Sequence, residues 1–210
     1  MIGVFGGTFD PIHYGHLRSA LEVHTIFGLR EVRLIPCANP PHRAQPMTQA
    51  NLRADMVQLA IAHSPQLRCD RRELQRSGAS YTLDTLKSLR QELAQESLLL
   101  FIGNDAFAQL THWYCWQELF DYAHIVVLTR PDSVAVTDFG KQQAFFNERR
   151  AASIEQLNTH HAGLLWFQAV TALSISATAI RQLIASGHNP QFLLPDTVID
   201  YITAHRLYQI

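Results

Sequence analysis

Two histidines three residues apart, His13 and His16, stand behind a glycine pair in Phe5-Gly6-Gly7-Thr8-Phe9-Asp10-Pro11-Ile12-His13-Tyr14-Gly15-His16. Ile2, Val4 and Phe5 lean toward β structure, and Gly6-Gly7 ends the run, as expected of a buried strand feeding a turn. Glycine at both positions permits positive φ and removes the Cβ that would block a ligand. Thr8 adds a hydroxyl, and successive amide hydrogens can converge on an anion. After Asp10-Pro11, the spacing of Leu17, Ala20, Leu21 and Val23 predicts a helix from about Gly15 to Phe27, closed by Gly28. Residues three apart share a helical face, so both imidazoles sit at an amino end that carries roughly half a positive charge. A phosphate suits that place, and imidazole suits an oxygen whose negative charge grows during a reaction. The competing readings are a zinc pair and two structural histidines. The spacing is not His-Glu-x-x-His and no cysteine lies close by, which weakens the first.

Two further segments have the same character. In Ser174-Ile175-Ser176-Ala177-Thr178-Ala179-Ile180-Arg181, Ser176 or Thr178 can cap a helix, and Arg181 on the first turn can hold two oxygens in a fixed fork. Seen alone, such a string is more often a capped surface helix with a solvated arginine. In Phe101-Ile102-Gly103-Asn104-Asp105, after Leu98-Leu99-Leu100, Gly103 lets a ring or ribose approach and Asp105 can accept from sugar hydroxyls or an adenine amino group. The plainer reading is that Asn104 or Asp105 caps a helix Ala106 to Leu110.

The elements that must position these groups alternate. Strand-like runs (Ile2 to Phe5, Val32 to Ile35, Leu67 to Cys69, Leu98 to Ile102, Ile125 to Leu128) are interleaved with helical patterns (Gly15 to Phe27, Gln49 to His63, Thr82 to Gln91). That order predicts an α/β fold with a doubly wound parallel sheet, and the candidate groups fall at strand ends. The tail predicts two short helices, Ala177 to Ser186 and Asp196 to His205, whose Ile180, Leu183, Ile184, Val198, Ile199 and Ile202 pack back on the core. Asp132 to His161 is polar and helix-like in pieces (Lys141 to Arg150, Ala151 to Asn158) and reads as a variable connection. His160-His161 reads as solvent-facing.

With 210 residues, 47% of them hydrophobic, the chain can bury one substantial core, so a single domain spanning 1–210 is expected. A formal net charge of −1 exerts no general pull on nucleic acid or membrane. The three cysteines, Cys37, Cys69 and Cys115, are odd in number and widely spaced, which suits a reducing cytoplasm. No charged leader, apolar signal region or bilayer-length run is evident, and export is not expected. Self-association is left open.

Thr8-Phe9-Asp10-Pro11 followed by His13-x-Gly15-His16 resembles the signature of the nucleotidyltransferase superfamily with a His-x-Gly-His motif, whose members move a nucleoside monophosphate from a triphosphate onto a phosphate. The Ser176-x-Thr178-x-x-Arg181 string is similar to the superfamily's triphosphate motif, and Gly103-x-Asp105 to its nucleotide-contact element. Asn39-Pro40-Pro41-His42-Arg43, Ser80-Tyr81-Thr82 and Thr111-His112-Trp113-Tyr114-Cys115-Trp116 together resemble the bacterial nicotinate-nucleotide adenylyltransferases.

The resemblance implies a Rossmann-like fold with a small C-terminal helical segment, ATP and nicotinate mononucleotide as substrates, and magnesium carried mainly by the ATP phosphates rather than by protein side chains. It implies that Gly6, Gly7, Thr8, Phe9, His16, Gly103, Asp105, Ser176, Thr178 and Arg181 meet ATP. His16 would act at the α-phosphate, His13 at the phosphate bridge and Arg181 at the β and γ phosphates. Pro41, His42, Arg43, Tyr81, Thr82 and Trp113 would meet the acceptor: Pro40-Pro41 stiffens a basic loop, Thr82 at a helix start could hold a carboxylate, and Trp113 offers a stacking face, although by spacing alone Trp113 and Trp116 read as core. Adenylyl transfer to pantetheine phosphate or nicotinamide mononucleotide, and a nucleotide sensor without turnover, are the other readings. A class I aminoacyl-tRNA synthetase is disfavoured because no Lys-Met-Ser-Lys-Ser string is present.

Overall fold

Strand formation follows the runs of Ile, Val, Leu and Phe. A computed structural model describes residues 1–40, 46–129, 140–171 and 173–209. Along the chain come β1 (Ile2–Gly7), α1 (Tyr14–Ile26), β2 (Glu31–Pro36), α2 (Ala50–Ala60), β3 (Leu67–Cys69), α3 (Thr82–Glu92) and β4 (Leu98–Gly103). They are followed by α4 (Asn104–Ala108), α5 (Leu119–Tyr122), β5 (His124–Thr129), α6 (Gln143–Glu148), α7 (Ile154–Thr159), β6 (Leu165–Ala169), α8 (Ala177–Ala185) and α9 (Asp196–Ala204). The strands form one sheet in the order β3-β2-β1-β4-β5-β6, and every neighbouring pair is parallel.

The period of two divides the strand side chains between two faces. Leu99 and Phe101 of β4 and Val126 and Leu128 of β5 join α1, α2 and α9 in one apolar cluster. Leu98, Leu100 and Ile102 with Ile125 and Val127 join Leu83, Leu86 and Leu89 of α3 and Phe107, Phe120 and Phe146 in the other. Gly3 faces the first cluster, where a Cβ would stand 2.8 Å from Phe101 and 2.9 Å from Leu29, so the close approach of that layer requires glycine. The expected tail helices are present; Ile180, Val198 and Ile202 belong to the first cluster, Ile184 and Ile199 pack against it, and Leu183 is half-buried.

Two features depart from the sequence reading. The Asp132 to His161 connection, where described, contains α6 and α7 and leads into β6, a sixth strand that the pattern did not predict. β6 is an edge strand with Trp166 and Gln168 only half-buried, so it lacks the uniformly apolar run that marks the inner strands. Arg33 of the inner strand β2 is only 2% exposed, yet its guanidinium donates to Glu31, Asp70 and Glu92 at 2.7–3.2 Å. A buried charge is tolerated there because its donors are taken up.

Strand order 3-2-1-4-5-6 reverses direction between β1 and β4, and parallel sheets open a ligand crevice at the carboxyl ends of such a pair. The ladder between them runs from Ile2–Leu98 to Val4–Leu100. Phe5–Gly7 and Phe101–Gly103, which carry the candidate glycines, lie beyond it.

Candidate active site

The first wall of the crevice is built by the turn after β1. Gly6 is exposed and a Cβ there would meet nothing within 4 Å, whereas a Cβ on Gly7 would stand 2.8 Å from the Phe9 ring. Neither glycine has a positive φ. The left-handed residue of the turn is Phe9, with φ 49°, so glycine serves here for close approach rather than for backbone freedom. Phe9 is 2% exposed and presents its edge to the His16 ring at 5.1 Å and 84°, which fixes the far side of that imidazole.

Helix α1 begins one residue earlier than its pattern predicts, placing His13 at the N-cap in extended conformation (φ −149°) and His16 in the first turn. The two rings stack at 3.7 Å and 27°. Gly15 makes this possible, because a Cβ there would lie 3.0 Å from the His13 ring. Burial, reinforced by the neighbouring His13, pushes the His16 pKa down to about 3, and among the described residues its Nδ1 is buried without a hydrogen-bond partner. In the ligand-free protein His16 is therefore neutral at physiological pH. An anion in the crevice reverses the electrostatic balance and favours the imidazolium.

The second wall is the amino end of α8. The Ser176 hydroxyl oxygen accepts from the Ala179 amide at 3.2 Å and so is the cap that the sequence left between Ser176 and Thr178. Arg181 donates to the Asp10 carbonyl at 2.7 Å and to the Thr178 hydroxyl at 3.2 Å, joining α8 to the turn after β1. Ile175 lies against the first turn of α1, its Cβ 3.7 Å from the point a Gly15 side chain would occupy. The amino ends of α1 and α8 thus converge from opposite ends of the chain, and their dipoles favour negative charge between them.

Gly103 closes β4 across the crevice, exposed and with nothing within 4 Å of a Cβ position. It occupies the N-cap of α4 itself, so Asn104 and Asp105 lie in the helix's first turn and not before it, and the helix spans Asn104–Ala108. Asp105 is exposed.

Where the sequence reading expects the acceptor, the Ser80 hydroxyl oxygen accepts from the Ala38 and Asn39 amides at 3.2 and 3.1 Å, and the Ser80 amide donates to the Asn39 carbonyl at 2.9 Å. Tyr81 stacks obliquely on Tyr114 at 4.6 Å. These contacts bring together the three segments expected to meet the acceptor. Thr82 opens α3 behind Tyr81 at the N-cap, which makes no side-chain cap. A helix's first-turn amides have no partner within the helix, so they can receive a carboxylate. Trp113 is half-buried against the second cluster, and Trp116 packs on Phe145 and Phe146 at 4.9 and 5.3 Å, as its core reading predicts. Pro41, His42 and Arg43 lie outside the described residues.

Three residues of the site region escape the sequence reading. Asp10 is 4% exposed; one carboxylate oxygen accepts from the Met47 amide at 2.9 Å and the other from the Tyr208 hydroxyl at 2.6 Å. Tyr208, third from the end of the chain, is 7% exposed, and burial together with Asp10 pushes its pKa far above the usual phenol value. Arg53 of α2, 1% exposed, donates to the backbone carbonyls of Thr8, Cys37 and Thr48. Two of them left a trace in the sequence: Asp10 stands inside the Thr8-Phe9-Asp10-Pro11 string, though with no role read for it, and Arg53 is a charged residue at position i of an apolar i, i+3, i+4 set with Met56 and Val57. Among the described residues, no group of three His, Cys, Asp or Glu side chains is placed to hold a metal ion.

A doubly wound parallel sheet with two helix amino ends and a glycine turn facing one crevice is the fold of a nucleotidyltransferase, and residues 4–183 match the model of the cytidylyltransferase-like family. Curated relatives extend the likeness over the whole chain. A probable nicotinate-nucleotide adenylyltransferase of Pseudomonas syringae pv. tomato is 48% identical over 211 residues, covering 99% of this chain and 93% of the relative. One of Acidithiobacillus ferrooxidans is 44% identical over 207 residues, covering 98% and 94%. The chain belongs to the nicotinate-nucleotide adenylyltransferase family. The Plasmodium falciparum nicotinic acid mononucleotide adenylyltransferase complexed with NaAD superimposes with a TM-score of 0.72 at 18% identity, covering 99% of this chain and 96% of that one, a likeness of fold.

Proposed function

We propose that this chain transfers the adenylyl group of ATP to nicotinate mononucleotide, giving nicotinate adenine dinucleotide and pyrophosphate in NAD biosynthesis, in the cytoplasm. The observation that carries the reading is the stacked His13–His16 pair at the amino end of α1, facing the amino end of α8 across the switch point of the sheet. The Plasmodium falciparum relative whose fold it shares was captured with NaAD. A phosphate oxygen of the acceptor attacks the α-phosphorus in line, the bond from that phosphorus to the bridging oxygen breaks, and pyrophosphate leaves with the electron pair. No protein nucleophile is needed; the protein positions two polyanions and stabilises the charge that develops between them.

His16 takes the α-phosphate, His13 the bridging region, and Arg181 the β and γ phosphates. Gly6, Gly7, Thr8 and Phe9 line the turn beneath, Ser176 and Thr178 the α8 end, and Gly103 and Asp105 the nucleoside side. Magnesium fits this site as a passenger of the triphosphate, since both carboxylate oxygens of Asp10 are engaged by Met47 and Tyr208. Its contribution is to neutralise phosphate charge. The acceptor's ring carboxylate meets the first-turn amides at Thr82, with Tyr81 and Trp113 as aromatic walls and Pro41, His42 and Arg43 as the basic loop. An amide in place of the acid would set a donor against donors, leaving groups unpaired at about 1 to 3 kcal/mol each. The helices α8 and α9 work within the same unit as the sheet, because their apolar faces complete its first cluster.

Pyrophosphate release with ATP, magnesium and a panel of nicotinate mononucleotide, nicotinamide mononucleotide and pantetheine phosphate tests the proposal. Release dependent on nicotinate mononucleotide, with the amide much poorer, is expected. Equal efficiency for acid and amide overturns the acceptor assignment, and a signal independent of any acceptor overturns adenylyl transfer.

A further inference from the structure

The Arg53 guanidinium fans out to three separate pieces of backbone: Nη1 to the Thr8 carbonyl at 2.5 Å, Nη2 to the Cys37 carbonyl at 2.6 Å, and Nε to the Thr48 carbonyl at 2.9 Å. Nη2 also approaches the Ala38 carbonyl at 3.4 Å. Thr8 belongs to the turn after β1. Cys37–Ala38 and Thr48 flank, on either side in sequence, the segment holding Pro41, His42 and Arg43. Asp10 repeats the link from the other direction, accepting from the Met47 amide at 2.9 Å while Tyr208 and Arg181 hold it in place. The Cys37 amide adds a third tie, donating to the Gly7 carbonyl at 2.9 Å.

We infer that Arg53 is a positioning residue that locks the triphosphate turn to Cys37–Ala38 and Thr48, so that order imposed on the turn by ATP is transmitted to those two segments. This rests on the reading of Gly6–Phe9 as the triphosphate turn. The Thr8 carbonyl points at Arg53, so the Phe9 amide, on the opposite side of the same trans peptide, points away from it. One guanidinium therefore fixes which way that amide is presented. In-line transfer requires donor and acceptor phosphates to be held in fixed relation, and a displacement near 1 Å can lower the rate about 100-fold. Burying a cation among carbonyls at 1% exposure is an unusual way to fill a helix face, since an apolar side chain would pack there without loss of solvation. What the guanidinium adds is a planar fork that reaches three acceptors at once; the compact ammonium of lysine cannot.

Hydrogen exchange with ATP alone as the probe separates this inference from the functional reading. In the wild-type protein, ATP is expected to slow amide exchange at Gly7–Phe9 and also at Cys37–Ala38 and Met47–Thr48. In Arg53→Lys, checked for folding by urea denaturation, protection remains at Gly7–Phe9 and is lost at the two flanks, kcat falls about 10- to 100-fold and KM for the mononucleotide rises. Absence of protection at Gly7–Phe9 in the wild type defeats the triphosphate reading. Protection there without protection of the flanks defeats the bridge, whether or not the variant folds. Equal flank protection in Arg53→Lys and wild type, or unchanged kcat and KM in a folded variant, also overturns it.

Discussion

Acidifying the ligand-free protein should destabilise it through its buried, neutral imidazoles: burial pushes down the pKa of both His16 and His124, and His16 is shifted far enough to isolate. In the folded state its pKa lies at about 3, held down by burial and then by His13, against about 6.5 for an unperturbed imidazole. Between those values the unfolded chain binds a proton that the folded one refuses, so stability is complete above pH 6.5 and is lost progressively as the pH falls toward 3. From pH 7 to pH 5 the loss amounts to at most about 2 kcal/mol, because the folded imidazole stays neutral throughout while the unfolded one becomes almost fully protonated. That is a readable fraction of a stability on the order of 5 to 15 kcal/mol. Urea denaturation of wild type and His16→Asn at both pH values isolates the effect from the other histidines. The variant should lose about 2 kcal/mol less than the wild type on acidification. If both lose the same amount, the imidazole is not shielded in the way its contacts with Phe9 and His13 require.

His16→Ala should lower turnover by roughly 10² to 10³, as loss of a donor to developing charge does; near-normal turnover in a steady-state assay removes it from the chemistry. The two glycines of the turn should behave oppositely. Gly6→Ala should unfold at the wild-type urea concentration but raise KM for ATP about tenfold, equivalent to about 1.4 kcal/mol, while Gly7→Ala drives a Cβ into the Phe9 ring and should cost about 1 to 3 kcal/mol of stability. Trp113→Ala should raise KM for the mononucleotide about twofold to tenfold, the equivalent of about 0.5 to 1.5 kcal/mol of stacking, with KM for ATP unchanged. Tyr208→Phe leaves an Asp10 oxygen buried and unpaired, and should cost about 1 to 3 kcal/mol in a denaturant titration.

What the sequence determined by itself was whatever is written locally. The alternation of apolar runs and helical periods prescribed a parallel α/β sheet, since both patterns depend on neighbours within a few residues. The Gly6-to-His16 string marked one anion site, because the turn, the helix start and the spacing of the two imidazoles all fall within eleven residues. The end of α1 at Gly28 and the start of α8 at Ser176 or Thr178 were legible for the same reason. Tertiary structure decided the rest. It alone set the strand order that makes β1 and β4 the switch pair, and it alone brought α8 beside α1 across 160 residues of chain, from His16 to Ser176. It gave Gly6 and Gly7 different tasks that their shared residue type could not distinguish. β6 stayed hidden because an edge strand needs no continuous apolar run. The roles of Arg53, Asp10 and Tyr208 stayed hidden because their partners are backbone groups and side chains of distant segments, and only folding brings those within hydrogen-bonding distance.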